Sequence, residues 1–401
     1  MPRDLARRLS PIAPSITLAI NARAAELRAS GLEVFAFGVG EPDFEPPSFV
    51  REAAKRAIDE GASKYTAVTG ILPLRKAICE RSARLRGYEP TPDQVCVSVG
   101  AKHALFNLAV ALYEPGDEVI IPAPYWVSYP EQVRMMGATP VIVDTREEDG
   151  WRMSAEALRG AITSKTKAII LCSPCNPTGI AYTESELRAL LAVVRDSDAW
   201  FIADEIYADL LYDNLSHASP LALAPELQDR VVLVDGLAKS YAMTGWRIGW
   251  AIAPARLIKA LDLVQGQSTT NATAVAQHAA IAALSGPQDE VRDMREAFER
   301  RRNVMVAELN AVAGVRCRMP EGAFYAFADV RGLLGRTTAS GTLHTCADVA
   351  RFFLEQAHVA SVPGSAFGAP GYVRFSYATG EDRIRAGVEA LRRAIAATSP
   401  A

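Results

Sequence analysis

Residues 231–250 read VVLVDGLAKSYAMTGWRIGW, and this largely apolar run carries two cations, Lys239 and Arg247. Lysine is almost never fully buried unless paired, so the ordinary reading is that both side chains snorkel to water or meet carboxylates. A second reading gives them chemistry. An amine held in apolar surroundings has a depressed pKa and can attack a carbonyl, and a guanidinium can clamp an anion through two parallel hydrogen bonds. Four further residues bear on the choice. Asp204 follows the apolar run WFIA, where an unpaired carboxylate is costly. Trp126 offers a flat face, while Asn176 and Tyr207 offer donors.

Such residues need elements that bring them together. Between residues 94 and 252, the runs QVCVSV, EVIIP, PVIVD, AIILC, WFIA, VVLV and RIGWAIA read as strands. They are separated by segments with helical spacing, such as KHALFNLAVAL, SAEALRGAI and ESELRALLAVV. Alternation of this kind predicts an α/β fold, with a seven-stranded, mostly parallel sheet covered on both faces. The step from VVLV to RIGWAIA is too short for a crossover helix, so one antiparallel strand is expected there. SFVREAAKRAIDEG and PLRKAICERSARLRG read as helices closed by glycine. After a charged helix beginning near residue 287, a smaller α+β unit contains GAFYAFADV, DVARFFLEQA, YVRFSYA and a final helix from EDRIRAGVEALRRAIAA. RTTASGTLHTC reads as a mobile loop.

Ligands of open α/β sheets bind outside the carboxyl ends of the strands. Gly100, Ala101 and Lys102 follow one strand, Tyr125 and Trp126 the next, and Asn176, Asp204 with Tyr207, and Lys239 follow three more. The turn SVGAKHALF opens a helix, where free amides and the helix dipole favour an anion such as phosphate, with Arg247 as a second anchor. A pyridinium N–H suits Asp204, Trp126 can stack on the ring, and Tyr207 and Asn176 can bind a phenolate oxygen. Lys239 can then condense with an aldehyde to give a Schiff base. Singly, each residue has a plainer reading: a packing glycine, a core tryptophan, or Asp204 as the cap of a helix over EIYADLLY.

Composition narrows the partners. The 401 residues are 49% hydrophobic and 22% charged, with a net charge of -3, which gives no footprint for nucleic acid or an anionic membrane. No apolar run approaches the roughly 18 residues of a membrane span, and the N-terminus lacks a signal-peptide pattern, so a cytoplasmic protein is expected. The C-x-x-C of Cys172 and Cys175 has no second pair for zinc, and reduced structural thiols are expected.

Taken in order, PSITLAINARAAELRASG, GVGEPDF, KYTAVTG, VGAKHALFNL, PYWVSYPE, NPTG, ADEIY, the Lys239 segment with AMTGWRIG, and VRFSYA resemble the fold-type I, pyridoxal-phosphate-dependent class I aminotransferases. The likeness runs from about Ser15 to the last helix and is strongest to the bacterial aspartate aminotransferase subgroup, including aspartate/prephenate enzymes. It implies pyridoxal 5'-phosphate as cofactor, carried on Lys239, which also moves the substrate's α-proton. Asp204 would pair with the ring nitrogen and Tyr207 and Asn176 with the ring oxygen, while Gly100, Ala101, Lys102 and Arg247 hold the phosphate. Tyr65 would reach the phosphate of a second subunit, implying a homodimer with composite sites. Arg374 would clamp the substrate α-carboxylate beside Gly40, and Lys102, Ser15 and Thr17 would meet its side-chain carboxylate. Three segments are implied: 1–47 as an arm and helix of the small domain, 48–290 as the cofactor domain, and 291–401 as the rest of the small domain. The implied reaction is ping-pong transamination between aspartate or glutamate and a 2-oxo acid such as 2-oxoglutarate, and Lys102 with Thr17 is compatible with prephenate. A β-elimination lyase or another specialised aminotransferase on the same fold is the alternative. Gly236, Ala238 and Cys175 depart from the hydroxyl and asparagine side chains frequent in relatives.

Overall fold

The computed structural model describes residues 6–14, 16–339 and 341–399. The chain enters through helix α1 (Ile16–Ala29) and a two-residue strand β1 (Phe35–Ala36), then passes through α2 (Ser48–Asp59) and α3 (Leu72–Arg86). Gly61 and Gly87, at φ +82° and +69°, take the left-handed turns that close these two helices.

The large sheet follows as β2 (Val95–Val99), β3 (Glu118–Ala123), β4 (Thr139–Asp144), β5 (Thr166–Cys172), β6 (Trp200–Asp204), β7 (Val231–Gly236) and β8 (Ile248–Ile252). Its spatial order is β2-β8-β7-β6-β5-β3-β4. Pairings from β4 across to β7 are parallel, whereas β8 runs antiparallel to both β7 and β2. The expected antiparallel strand is thus in place. All of β7 is buried, as a strand covered on both faces must be, which explains the unbroken VVLV run. The topology has a direct consequence for the site. Parallel strands end at one edge, with Cys172 opposite Asp204 and Asp204 opposite Val234. Because β8 runs the other way, its start lies at that edge too, and Ile248 pairs with Val99. Arg247 is thereby delivered to Gly100.

Beyond the helix Asp289–Asn310 come β9 (Arg316–Cys317), β10 (Tyr325–Asp329), β11 (Thr337–Thr338), β12 (Gly341–Thr342), β13 (Val359–Ala360), β14 (Val362–Pro363) and β15 (Tyr372–Ser376), ending in the helix Glu381–Ala396. An antiparallel sheet of order β14-β15-β10-β9 forms the centre of this α+β unit. Strand β1 pairs with β13, tying the entering segment to it. Within the stretch expected from sequence to be a loop, Thr337–Thr338 and Gly341–Thr342 are paired strands. β11 and β12 form a hairpin, with Gly341 at φ +115°, and the Thr345 hydroxyl caps the next helix by accepting from the Asp348 amide at 3.2 Å. Among the described residues, no helix is long and apolar enough to cross a membrane, and no His, Cys, Asp and Glu cluster could hold a metal. All six cysteines are buried and free.

Candidate active site

A cavity of about 450 Å³ opens at the carboxyl edge of the large sheet. Thr17, Gly40, Ala101, Lys102, Trp126, Asn176, Asp204, Tyr207, Lys239, Arg247 and Arg374 all line it. Gly100 adjoins it as the residue before helix α4 (Ala101–Leu112). Tyr65 does not, standing 88% exposed on a loop, and Ser15 lies outside the described residues. A larger, more open cleft of about 930 Å³, between Glu147 and Arg316, contains none of these residues.

Lys239 follows β7 directly, in a turn. Its Nζ donates to the Gly40 carbonyl at 2.5 Å and lies 6.0 Å from the Tyr207 ring and 5.7 Å from Phe324. Burial lowers its pKa to about 8; Glu41 and Asp204 oppose the shift, and Arg374 and Arg247 add to it. An amine that is partly neutral near pH 8 is a competent nucleophile and proton carrier. The greasy company of Lys239 therefore has a chemical effect.

Asp204 ends β6 and is 4% exposed. Its Oδ2 accepts from the Tyr129 hydroxyl at 2.6 Å, and its Oδ1 from the Ile206 amide at 3.2 Å. Burial raises its pKa to about 6 against the pull of those two donors. The residues after it do not form the helix that a capping aspartate would serve. They make a tight turn, with Ala208 N bonded to Glu205 O and Leu210 N to Tyr207 O, both at 2.8 Å. The turn throws Tyr207 back over the cavity, where its hydroxyl lies 2.9 Å from that of Tyr325.

Arg374 is 3% exposed on β15. Nη1 donates to Asn176 Oδ1 at 2.8 Å and Nη2 to the Gly38 carbonyl at 2.9 Å, while Nε has no partner. The guanidinium lies 4.3 Å from the Tyr325 ring centre and 5.0 Å from that of Phe367. Among the described residues, no carboxylate pairs with it. Burial holds its pKa below the usual arginine value. A buried cation without a counter-ion is costly, and a carboxylate entering the cavity would supply one.

Gly100 has φ +84°, and a Cβ there would come within 2.6 Å of Arg247 Nη2. Only glycine lets the guanidinium sit over the start of α4, whose first amides have no intrahelical acceptors. Arg247, itself at φ +57°, is exposed rather than buried, and donates to the Thr244 carbonyl at 2.8 Å. Lys102 in the first turn of α4 holds its Nζ 5.0 Å from the Trp126 ring centre. Burial and the nearby Arg247 lower its pKa.

Residue spacing alone did not single out Tyr129, Tyr325 and Phe367. Tyr129 lies on helix α5 (Ser128–Met135), three residues past Trp126, and its partner is 75 positions away. Tyr325 presses on Gly40, where a Cβ would meet its hydroxyl at 2.7 Å. The aromatic pattern GAFYAF, beside a strand bearing a buried arginine, was the available signal.

Residues 33–391 match the model of the family described as Aminotransferase class I and II. The chain belongs to this family. An aspartate/prephenate aminotransferase of Cereibacter sphaeroides is 48% identical over 379 residues, covering 94% of this chain and 95% of the relative. An aspartate aminotransferase of Geobacillus stearothermophilus is 46% identical, with 97% and 98% covered. Among solved structures, the Rhizobium meliloti aspartate aminotransferase superposes with a TM-score of 0.96 at 44% identity, covering 99% of this chain and all of that one. The Thermus thermophilus aspartate aminotransferase with maleate gives 0.92 at 42%, with 98% and 100% covered. The seven-stranded sheet with its one antiparallel strand is accordingly the fold of this aminotransferase family, as expected from sequence.

Proposed function

We propose that this aminotransferase uses pyridoxal 5'-phosphate to move the amino group of aspartate or glutamate onto a 2-oxo acid such as 2-oxoglutarate. One observation carries the reading: Arg374, buried and without a carboxylate partner among the described residues, faces the same cavity as the Lys239 amine, whose pKa is lowered to about 8. A substrate carboxylate answers the first and a carbonyl the second.

The residues present fit the cofactor. Asp204, a buried carboxylate, would hold the ring nitrogen protonated, Trp126 would stack on the ring, and Tyr207 with Asn176 would bind the ring oxygen. Arg247 and the amides that open α4 would hold the phosphate, with no hydroxyl from Gly236 or Ala238 to assist. When bound, the cofactor supplies an electron sink for the pair left at the substrate α-carbon.

The chain's own groups then have separable tasks. Arg374 fixes the α-carboxylate through its two-pronged donor face, and Tyr325 and Phe367 keep water from that guanidinium. Lys239 takes the proton from the α-carbon and returns it on the other side of the amino transfer, a role suited to a pKa of about 8. Lys102 and Thr17, with Ser15, meet the side-chain carboxylate. Lys102 lacks a carboxylate partner among the described residues, and the relatives above bear aspartate in their names. We further place two copies in a homodimer, with Tyr65 reaching the neighbouring phosphate site. Its 88% exposure supports this, since an aromatic ring gains from cover.

The test is a panel of half-reactions. Purified protein loaded with pyridoxal 5'-phosphate and mixed with aspartate alone should release one oxaloacetate per site and no ammonia. Adding 2-oxoglutarate should give continuous glutamate formation. Steady release of pyruvate and ammonia from cysteine or serine, whose β-substituent can leave, would instead identify a β-elimination lyase, and turnover with prephenate would extend the acceptor range.

A further inference from the structure

Behind the sheet edge, on the side away from the cavity, lies a buried set of charges that the proposed chemistry does not use. Arg86 is the last residue of α3 and is 8% exposed. Its Nε donates to Glu205 Oε2 at 2.9 Å, its Nη2 to Asp235 Oδ2 at 3.0 Å, and its Nη1 to Asp209 Oδ1 at 3.3 Å. Arg81, five residues earlier on the same helix, pairs with the other oxygen of Asp209 and donates to the Tyr241 hydroxyl at 3.1 Å.

The positions of the partners are informative. Glu205 follows Asp204, Asp209 stands two residues after Tyr207, Asp235 precedes Lys239 by four, and Tyr241 follows it by two. Asp204 and Glu205 are successive at the end of β6, where neighbours point to opposite sides, and the turns that follow β6 and β7 carry Asp209 and Tyr241 to the arginines while Tyr207 and Lys239 line the cavity. Two segments, 204–209 and 235–241, that line the cavity on one side are thus tied to one helix end on the other. We propose that Arg86 is a positioning residue for the cofactor site, setting the relative placement of Asp204, Tyr207 and Lys239 through its bonds to Glu205, Asp209 and Asp235.

Stability alone gives a weaker account of this arrangement. A buried ion cluster is often no more stabilising than apolar side chains of the same volume, and its attested use is to fix one arrangement among several. The guanidinium fork suits that use, because its donors reach three carboxylates in fixed directions where an ammonium offers a point charge. Burial with Asp209 nearby leaves Asp235 with a pKa raised to about 6 despite two arginines, so the set is held at some electrostatic cost.

The inference rests on the proposed use of pyridoxal 5'-phosphate, and the two fail differently. If wild-type protein takes up no pyridoxal 5'-phosphate, the proposed function falls first. If it does, Arg86→Met and Arg86→Lys are compared with Arg302→Met, a control at an equally buried arginine. That arginine pairs with Asp213 at 2.7 Å and touches neither of the two segments. Arg86→Met should weaken cofactor affinity at least tenfold and displace the pH midpoint of the bound cofactor's visible absorbance, with Arg86→Lys intermediate. Arg302→Met should lower the thermal midpoint while leaving affinity and absorbance midpoint as in wild type. Should Arg86→Met fail to fold, Arg86→Lys carries both readings. Wild-type affinity and absorbance midpoint in a folded Arg86 variant would overturn the inference.

Discussion

Asn176 and Arg374 stand 198 positions apart, yet Oδ1 of the first accepts a 2.8 Å hydrogen bond from Nη1 of the second. The contact joins the turn that follows β5 to the middle of β15, one element from each unit of the fold. It also orients the guanidinium, since Nη2 is bound to the Gly38 carbonyl and two aromatic rings flank the plane. Arg374→Lys keeps the charge but loses the fork, so it should cost about 100-fold in kcat/KM for every amino acid tested, chiefly through KM. Steady-state kinetics with aspartate and alanine check this. An unchanged KM would remove Arg374 from the α-carboxylate.

Tyr129 offers a second test, read through pH. Asp204 must be ionised to pair with a protonated ring nitrogen, and its pKa in the folded protein is about 6, raised by burial above its ordinary 3.8. Cofactor affinity should therefore be full above pH 6 and fall as pH drops through that value. The Tyr129 hydroxyl opposes the rise, so Tyr129→Phe should move the midpoint upward by the value of one ordinary hydrogen bond and weaken binding at pH 6 about threefold. Fluorescence titrations with pyridoxal 5'-phosphate between pH 5 and 8 measure it. A midpoint that stays put or falls would contradict the assignment.

Much of this was legible in the sequence because the large sheet is buried on both faces. VVLV, AIILC and WFIA have no polar alternation to blur them, and the residues just past each run necessarily gather at one edge. What the sequence hid depends on side chains meeting from distant elements. Arg86 looks like an arginine in the last turn of a helix, where a cation ordinarily serves the dipole. Its three carboxylates are more than a hundred positions away. Tyr129 hid for the same reason. The pairing of β11 with β12 is hidden because Thr and Gly suit a two-stranded ribbon as well as a loop, and only the register of Thr337 with Thr342 distinguishes them.

Lys102 tests substrate choice. Its amine stands against Trp126 on the cavity wall, and among the described residues no acid pairs with it. Lys102→Ala should lower kcat/KM for aspartate at least about tenfold, or about 1.4 kcal/mol, and leave alanine within about twofold. Equal losses for both would assign the residue to the phosphate instead.

Lys239 itself should be a burden to the empty protein. Its pKa in the folded chain, about 8, lies below the ordinary 10.5, so between those values the unfolded chain holds a proton that the folded one has shed. Stability from this group therefore rises as pH climbs from about 8 to 10.5, and below 8 the charged amine costs its full penalty. That penalty is about 3 kcal/mol for a shift of this size, offset by about 1 kcal/mol for the hydrogen bond to Gly40. Cofactor-free Lys239→Met should accordingly be more stable than cofactor-free wild type by about 2 kcal/mol at pH 7, an advantage that disappears above pH 10.5. Urea unfolding of both proteins across this range measures the difference, in which other titrating groups largely cancel. Equal stability at pH 7 would mean that the amine reaches water, and with it the case for a desolvated nucleophile at position 239 would be lost.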